Sequence, residues 1–199
     1  QQGSAGMIAG YQGSQAKKTT FGKNVTLSVA GNTGTSNALA YGSDNAYGEL
    51  EAGDGLTVIM NTKGYANAFG LSTIGYNSSY PGTTAVGKDL TVNMTSDGTA
   101  YGIYNGNTQT GDAQTIVEDN PTVTVNAKTA VGISNIGSQG TVVLGDNATV
   151  TTDGTAASYG VLNQYGANTT FNGAATITAQ KGSELGTAAA SYDEGSLID

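Results

Sequence analysis

The sequence predicts an all-β protein wound as a parallel β-helix, a solenoid in which the chain forms stacked coils. A unit of roughly 30 residues, a length typical of solenoid repeats, returns along the whole chain. Each copy holds two short segments in which apolar and polar residues alternate, the pattern of strands with one buried face. These segments keep their register although the loops between them vary in length, which stacked coils permit because each coil contacts only its neighbours.

The clearest copy of the unit spans residues 87–105, GKDLTVNMTSDGTAYGIYN. Its first half alternates Leu90, Val92 and Met94 with polar residues, and its second half, residues 100–103, follows the Asp97-Gly98 turn. Parallel strands joined on one edge of a sheet strongly prefer the right-handed crossover. We therefore expect a right-handed parallel β-helix of about six to seven rungs, with a partial N-terminal rung in residues 1–18 and repeats in residues 19–199.

A column of threonines aligns six copies of the first strand. The residues on either side of each threonine are apolar and are predicted to face inward, so the threonines face outward. The column consists of Thr26, Thr57, Thr91, Thr124, Thr149 and Thr176. We expect these side chains to stack on adjacent rungs, about 4.8 Å apart.

Four residues before each threonine stands a glycine or an asparagine, the residue types that adopt a left-handed backbone most easily. This column predicts a structural corner at Gly22, Gly53, Gly87, Asn120, Gly145 and Asn172. One position upstream is inward and apolar in every copy except one, where Asp119 stands. In the second strand an aromatic or apolar residue precedes glycine, as in Tyr101-Gly102; residues 5–8 are aligned with 100–103, and residues 186–192 with 98–104.

Composition excludes several classes of function. The chain carries seven Lys, no Arg and fifteen acidic residues, a net charge of -8, so it offers no basic surface for nucleic acid. It contains neither His nor Cys, which rules out Ser-His triads, Cys-His pairs, disulfides and the usual zinc sites. No cofactor motif is present, and no apolar run approaches the ~20 residues of a membrane-spanning helix.

Units of the form GxxxTV followed by AYGI, rich in Gly, Asn and Thr, resemble the passenger region of bacterial autotransporter (type V secreted) surface proteins. The resemblance covers residues 19–192 and concerns period and composition. It implies a right-handed β-helix that is extracellular, lies at the bacterial cell surface and acts as an adhesin or a stalk. The implied partner is the protein itself or the surface of a host or neighbouring cell.

Three functions remain open. The first is a non-catalytic adhesin or stalk segment, the second is a subunit of an extracellular filament of stacked solenoids, and the third is a carbohydrate-active enzyme. The enzyme would use the carboxylates Asp112, Glu118 and Asp119. We favour a solvated acidic loop for these three, because no second column of carboxylates faces the same groove.

Three tyrosines in or near the variable loops are predicted to contact a ligand: Tyr76, Tyr80 and Tyr104. End-to-end association is predicted to involve two segments near the chain ends, with the residues Lys17, Lys18, Tyr192, Asp193 and Glu194. Ice binding, which needs a lattice of Thr-x-Thr pairs, is disfavoured because Ile59 and Asn126 interrupt the second column of such pairs.

Overall fold

The computed structural model describes residues 3–9, 18–33, 37–106, 110–181 and 187–194. In these residues the chain forms seventeen strands and no helix. Every pairing between two of the strands is parallel. The predicted fold class, an all-β parallel β-solenoid, is confirmed. Across these residues no helix has the length and apolar character needed to cross a membrane.

The strands stack in three faces. The short face holds β2 (Lys18–Phe21), β5 (Glu49–Ala52), β8 (Gly82–Val86), β11 (Ala113–Val117), β13 (Thr141–Leu144) and β15 (Asn168–Phe171). The threonine face holds β3 (Thr26–Asn32), β6 (Thr57–Lys63), β9 (Thr91–Ser96), β16 (Ala175–Lys181) and the first parts of β12 (Thr122–Ile136) and β14 (Ala148–Gln164). The aromatic face holds β1 (Gly3–Ala9), β4 (Leu39–Ala46), β7 (Asn67–Ile74), β10 (Thr99–Asn105), β17 (Thr187–Glu194) and the second parts of β12 and β14.

The solenoid makes about five turns, fewer than the six to seven rungs expected. At the N-terminal end the described part of the first copy is the single strand β1, which pairs with β4. In that strand Ala5 pairs with Tyr41 rather than with Ala40, so the predicted alignment of residues 5–8 was wrong by one position. At the other end Ala189 pairs with Tyr159, which confirms the predicted alignment of the last copy over its described residues.

Strand pairing corrects the predicted register of the fourth copy. Thr122 pairs with both Thr91 and Thr149, whereas Thr124 pairs with Asn93 and Thr151. The threonine column is therefore Thr26, Thr57, Thr91, Thr122, Thr149 and Thr176. A shift of two residues keeps each side chain on the same face of the sheet, so Thr124 still faces outward but belongs to the next column.

The corrected register also removes the apparent misfit of Asp119. Val117 occupies the inward position at the end of the short face, where it pairs with Val86 and Leu144 and is 1% exposed. Pro121 fills the buried position just before the threonine column. Proline is tolerated there because it precedes the first residue of β12 and so removes no hydrogen bond from inside the strand.

The predicted corner residues lie where the chain leaves the short face, but the left-handed conformation expected of them was wrong for all except Asn120, whose φ is 62°. The other five are Gly22, Gly53, Gly87, Gly145 and Asn172. The left-handed residues at this corner stand two positions before the threonine column: Asn24, Gly55, Asp89, Asn120 and Asn147. Gly87 is needed for close approach, because a Cβ atom there would lie 2.5 Å from Oδ1 and 2.8 Å from the backbone nitrogen of Asp54.

The core runs along the inside of the three faces. Val58, Val92, Val123 and Val150 follow the threonine column one residue later and are at most 1% exposed. Each buried valine stabilises the fold by roughly 1.5–3 kcal/mol relative to an exposed one. The glycine after the aromatic position is required by this packing, since a Cβ at Gly102 would overlap Cγ1 of Val123.

Candidate functional site

Buried amide and hydroxyl side chains form a column inside the corner between the aromatic and short faces, named here the asparagine ladder. Its members on the aromatic face are stacked coil upon coil and are 0% exposed: Asn45, Thr73, Asn105, Asn135 and Asn163. Buried hydroxyls of the short face, Thr84, Thr115 and Thr169, lie opposite. Sequence reasoning missed this ladder, although its members stand four residues after the aromatic position in every copy.

Hydrogen bonds of the asparagine ladder run both between coils and between faces. Nδ2 of Asn105 donates to Oδ1 of Asn135 at 2.9 Å and to the carbonyl of Ala113 at 2.9 Å. The Thr115 hydroxyl lies 2.8 Å from Oδ1 of Asn105 and 2.9 Å from the Thr73 hydroxyl. Each partner would be costly to leave unpaired inside the protein, so the ladder fixes the position of each coil against the next.

A second column, named here the charge ladder, lies outside the corner between the short and threonine faces. It contains Lys23, Asp54, Lys88, Asp119 and Asp146, each three residues before the corrected threonine column. Nζ of Lys23 lies 2.6 Å from Oδ2 of Asp54, and Nζ of Lys88 lies 2.8 Å from Oδ2 of Asp119. The backbone N–H groups of Lys88 and Asp146 donate to Asp54 and Asp119 at 3.2 Å each.

Contacts within the charge ladder lower the pKa of two of its carboxylates. The hydrogen bond from Lys23 lowers the pKa of Asp54, and the hydrogen bond from Lys88 lowers the pKa of Asp119. Beside them, Nδ2 of Asn120 donates to Oδ1 of Asp89 at 2.9 Å. Asp119, considered above as a catalytic carboxylate, is thus engaged in contacts between coils.

Four aromatic rings form a cluster on the aromatic face. Tyr41, Phe69 and Tyr101 stack with ring centroids 5.0 and 5.1 Å apart. Tyr104 meets Phe69 and Tyr101 edge-on, at 4.8 and 5.3 Å, and burial raises the pKa of its phenol. The structure therefore places Tyr104 half-buried in strand β10 rather than in a loop.

A buried carboxylate, Asp44, lies in the same outward column as Tyr104. Asp44 pairs with Ser72, and Ser72 pairs with Tyr104. Asp44 is only 6% exposed, and Oδ1 accepts a hydrogen bond from the Ser72 hydroxyl at 3.1 Å. Burial raises the pKa of Asp44 against the smaller opposing effect of that bond. None of the ion pairs within the described ranges involves this carboxylate.

Tyr76 and Tyr80 lie in the loop after β7 and are 54% and 53% exposed. The Tyr76 N–H donates to the Tyr80 carbonyl at 3.0 Å, and the Tyr80 N–H donates to the Asn77 carbonyl at 2.9 Å. The loop therefore leaves both phenol rings exposed to solvent. Their contact with a ligand stays a prediction.

The residues predicted for end-to-end association lie at opposite ends of the stack. Nζ of Lys18 in β2 contacts Glu51 at 2.5 Å and Glu49 at 3.2 Å on the next coil, while Lys17 lies outside the described residues. Strand β17 contains the remaining three, Tyr192, Asp193 and Glu194, paired with Leu162, Asn163 and Gln164 of β14. The structure does not bring the two sets together within one chain.

The outer surface of the threonine face is free of charge along two neighbouring columns. The first is the corrected threonine column. The second consists of Ser28, Ile59, Asn93, Thr124, Thr151 and Thr178. We name these twelve side chains the threonine array. Ten of the twelve carry a hydroxyl group, and all are at least partly exposed.

Two of the surface grooves in the described part of the chain lie outside the threonine array. One of about 520 Å³ is lined by Thr95, Ser96, Asp97, Asn126, Ala127, Lys128, Asp153 and Thr155. The other, of about 400 Å³, lies on the short face near Ile116. In the first groove Oδ1 of Asp97 accepts the Gly64 N–H at 2.7 Å. Among the residues that the structure describes, no three Asp or Glu side chains are grouped so as to hold a metal ion.

Comparison with known proteins found no matching family, no matching curated protein and no matching solved structure.

Proposed function

We propose that this chain is a non-catalytic structural segment of an extracellular bacterial surface protein, acting as an adhesin or stalk through adhesion or self-association. The observation that carries the proposal is the combination of two side-chain ladders. The asparagine ladder links coils inside the solenoid, and the charge ladder links them outside. A stack joined in this way is a stiff support for surfaces that meet a partner.

Two further observations favour a structural function over a catalytic one. The chain has no His, Cys or Arg, the residue types that most nucleophilic and acid-base sites depend on. Asp119, one of the three carboxylates considered for catalysis, forms an ion pair with Lys88. The resemblance of the repeat to autotransporter passengers agrees with an extracellular location and with right-handed winding, which the crossover rule also favours.

The surfaces available for adhesion are the threonine array and the loop that presents Tyr76 and Tyr80. Tyrosine is suited to contact surfaces because a rigid ring supplies apolar area and the hydroxyl supplies a hydrogen bond. The net charge of -8 makes identical chains repel one another at low salt. Self-association through an uncharged face is therefore expected to strengthen as salt is added.

The test uses beads coated with the 199-residue chain and matched beads coated with an unrelated acidic protein. We expect the coated beads to aggregate with one another or to bind bacterial or host cells, with more association at 0.5 M salt than at 0.05 M. A double variant, Tyr76→Ser with Tyr80→Ser, identifies the contribution of the loop. Dispersed beads that bind no cells at either salt concentration would contradict the proposal.

A further inference from the structure

The corrected register makes the columns of the threonine array more regular than the predicted register did. With Thr122 in the first column, Thr124 replaces Asn126 as its outward neighbour in the second. Three consecutive coils then carry complete Thr-x-Thr pairs directly above one another: Thr122 and Thr124, Thr149 and Thr151, Thr176 and Thr178. The first column continues as threonine through the three preceding coils.

The spacing within the array is set by the backbone. Parallel neighbours lie about 4.8 Å apart across the stack, and residues i and i+2 lie roughly 6.6 Å apart along a strand. No register shift interrupts the pairing of these two columns in any of the six strands. Threonine is β-branched and restricted at χ1, so its methyl and hydroxyl groups are held in few positions.

Charged side chains lie around the array and not in it. On one side stands the charge ladder, beginning with Lys23, and on the other side Asp153 and Lys128 line the groove beyond the second column. Water next to a charge is oriented by that charge. Water above the array is instead exposed to evenly spaced hydroxyl and methyl groups.

We propose that the threonine array is an ice-binding surface. Water molecules hydrogen-bonded to a regular, stiff and uncharged set of hydroxyl groups take up its spacing, and such an ordered layer can join a growing ice lattice. The array contains no aromatic ring and only one amide, Asn93. It therefore lacks the stacking platforms that a polysaccharide surface would use.

The complete pairs are confined to the C-terminal three coils, where the array is two threonines wide. In the N-terminal three coils the second column holds Ser28, Ile59 and Asn93. The structure thus assigns ice contact chiefly to the block centred on Thr149 and Thr151. This activity is independent of the proposed adhesion, which does not require an ordered array.

The test measures thermal hysteresis and ice-crystal shape for the whole chain and for two matched lysine variants. Thr151→Lys places a charge in the centre of the complete block. Thr141→Lys places the same charge on the outer side of the short face in the same coil, at a threonine of similar exposure. Circular dichroism and the melting temperature confirm that each variant is folded.

We expect faceted ice crystals and a temperature gap between melting and growth for the natural chain and for Thr141→Lys. We expect loss of most of that gap for Thr151→Lys and a smaller loss for Thr151→Ser, which keeps an uncharged hydroxyl but lacks the methyl group. The proposal is overturned if the natural chain at millimolar concentration neither shapes ice nor delays its growth. It is equally overturned if both lysine variants lose activity to the same extent.

Discussion

Two glycines at equivalent positions of the corner show that one residue type can be required in one coil and optional in another. A Cβ at Gly87 would lie closer to Asp54 than van der Waals contact allows, whereas a Cβ at Gly22 would meet no atom within 4 Å. Neither residue has a positive φ, so space alone separates them. Steric crowding between coils, and not backbone strain, sets the requirement.

The difference in space around the two glycines predicts that alanine will affect stability differently at the two positions. Gly87→Ala should destabilise the protein by about 1–3 kcal/mol, the usual cost of overpacking. Gly22→Ala should be neutral or stabilise it by up to ~1 kcal/mol, because alanine restricts the unfolded chain. Urea denaturation of the two variants measures both effects. Equal destabilisation of the two would show that the column has a common conformational requirement after all.

The buried carboxylate Asp44 is expected to make the stability of the protein depend on pH with a sign opposite to that of the charge ladder. Burial raises the folded-state pKa of Asp44 above the ordinary value of 3.8, so the folded protein holds this proton more tightly than the unfolded chain. The contribution of Asp44 to stability is therefore present below pH 3.8 and is lost as pH rises through the folded-state pKa. Asp44→Asn should melt higher than the natural protein at pH 7 and equally at pH 3.

Asp119 supplies the control. Its pKa is lowered from 3.8 by the hydrogen bond from Lys88, so its contribution is present above pH 3.8 and is lost as pH falls through the folded-state pKa. Asp119→Asn should therefore melt lower than the natural protein at pH 7, with the difference shrinking in acid. Melting curves from pH 2 to 8 check both variants, and differences of the same sign at pH 7 would contradict the assignment.

The asparagine ladder holds neighbouring strands in register. Asn105 contacts Asn135 on the next coil, Ala113 on the short face and Thr115 beside it. Asn105→Ala should cost about 1–3 kcal/mol for each buried partner left unpaired. Asn93→Ala, an exposed asparagine of the threonine face, should change stability by less than ~0.5 kcal/mol. Equal melting temperatures of the two variants would show that the ladder contributes nothing.

The strands and their inward faces could be predicted from the sequence because alternation with a period of two is local information. The register of β12 could not, since a shift of two residues leaves the same faces buried. Pro121, which is buried, interrupts the column of aliphatic residues, so the sequence pattern favours Val123 at that position instead. Pairing between coils decides between these registers.

The ladders could be predicted less well than the strands. The asparagine ladder has a sequence signal, a fixed offset of four from the aromatic position, but asparagine and threonine are also common on exposed strands and loops. The charge ladder became visible only with the corrected register, which places Asp119 opposite Lys88. Both ladders form where side chains of different coils come into contact. The sequence of a single copy does not show which side chains these are.

The solenoid has an asymmetric cross-section, which explains how one chain combines three kinds of surface. The corner with the charge ladder, the uncharged threonine array and the aromatic cluster occupy different sides of the same coils. Each surface stays on the same side of the stack because the coils repeat the same register. The proposed ice contact depends on this repetition.

Consecutive coils stack in parallel, with Thr122 above Thr91. The chain has no cysteine, so pairs of cysteines can be introduced as a direct probe of distance. Thr91 and Thr122 are paired neighbours, about 4.8 Å apart at Cα, which lies within the range that a disulfide spans. Thr91 and Thr124 are diagonal neighbours at roughly 8 Å, beyond that range.

The deciding measurement is disulfide formation in two double variants under mild oxidation, followed by free-thiol counting and intact mass. We predict that Thr91→Cys with Thr122→Cys forms an intramolecular disulfide in the folded state, and that Thr91→Cys with Thr124→Cys keeps both thiols. Preferential cross-linking of the second pair, or of neither pair in a folded protein, would contradict this stacking of coils.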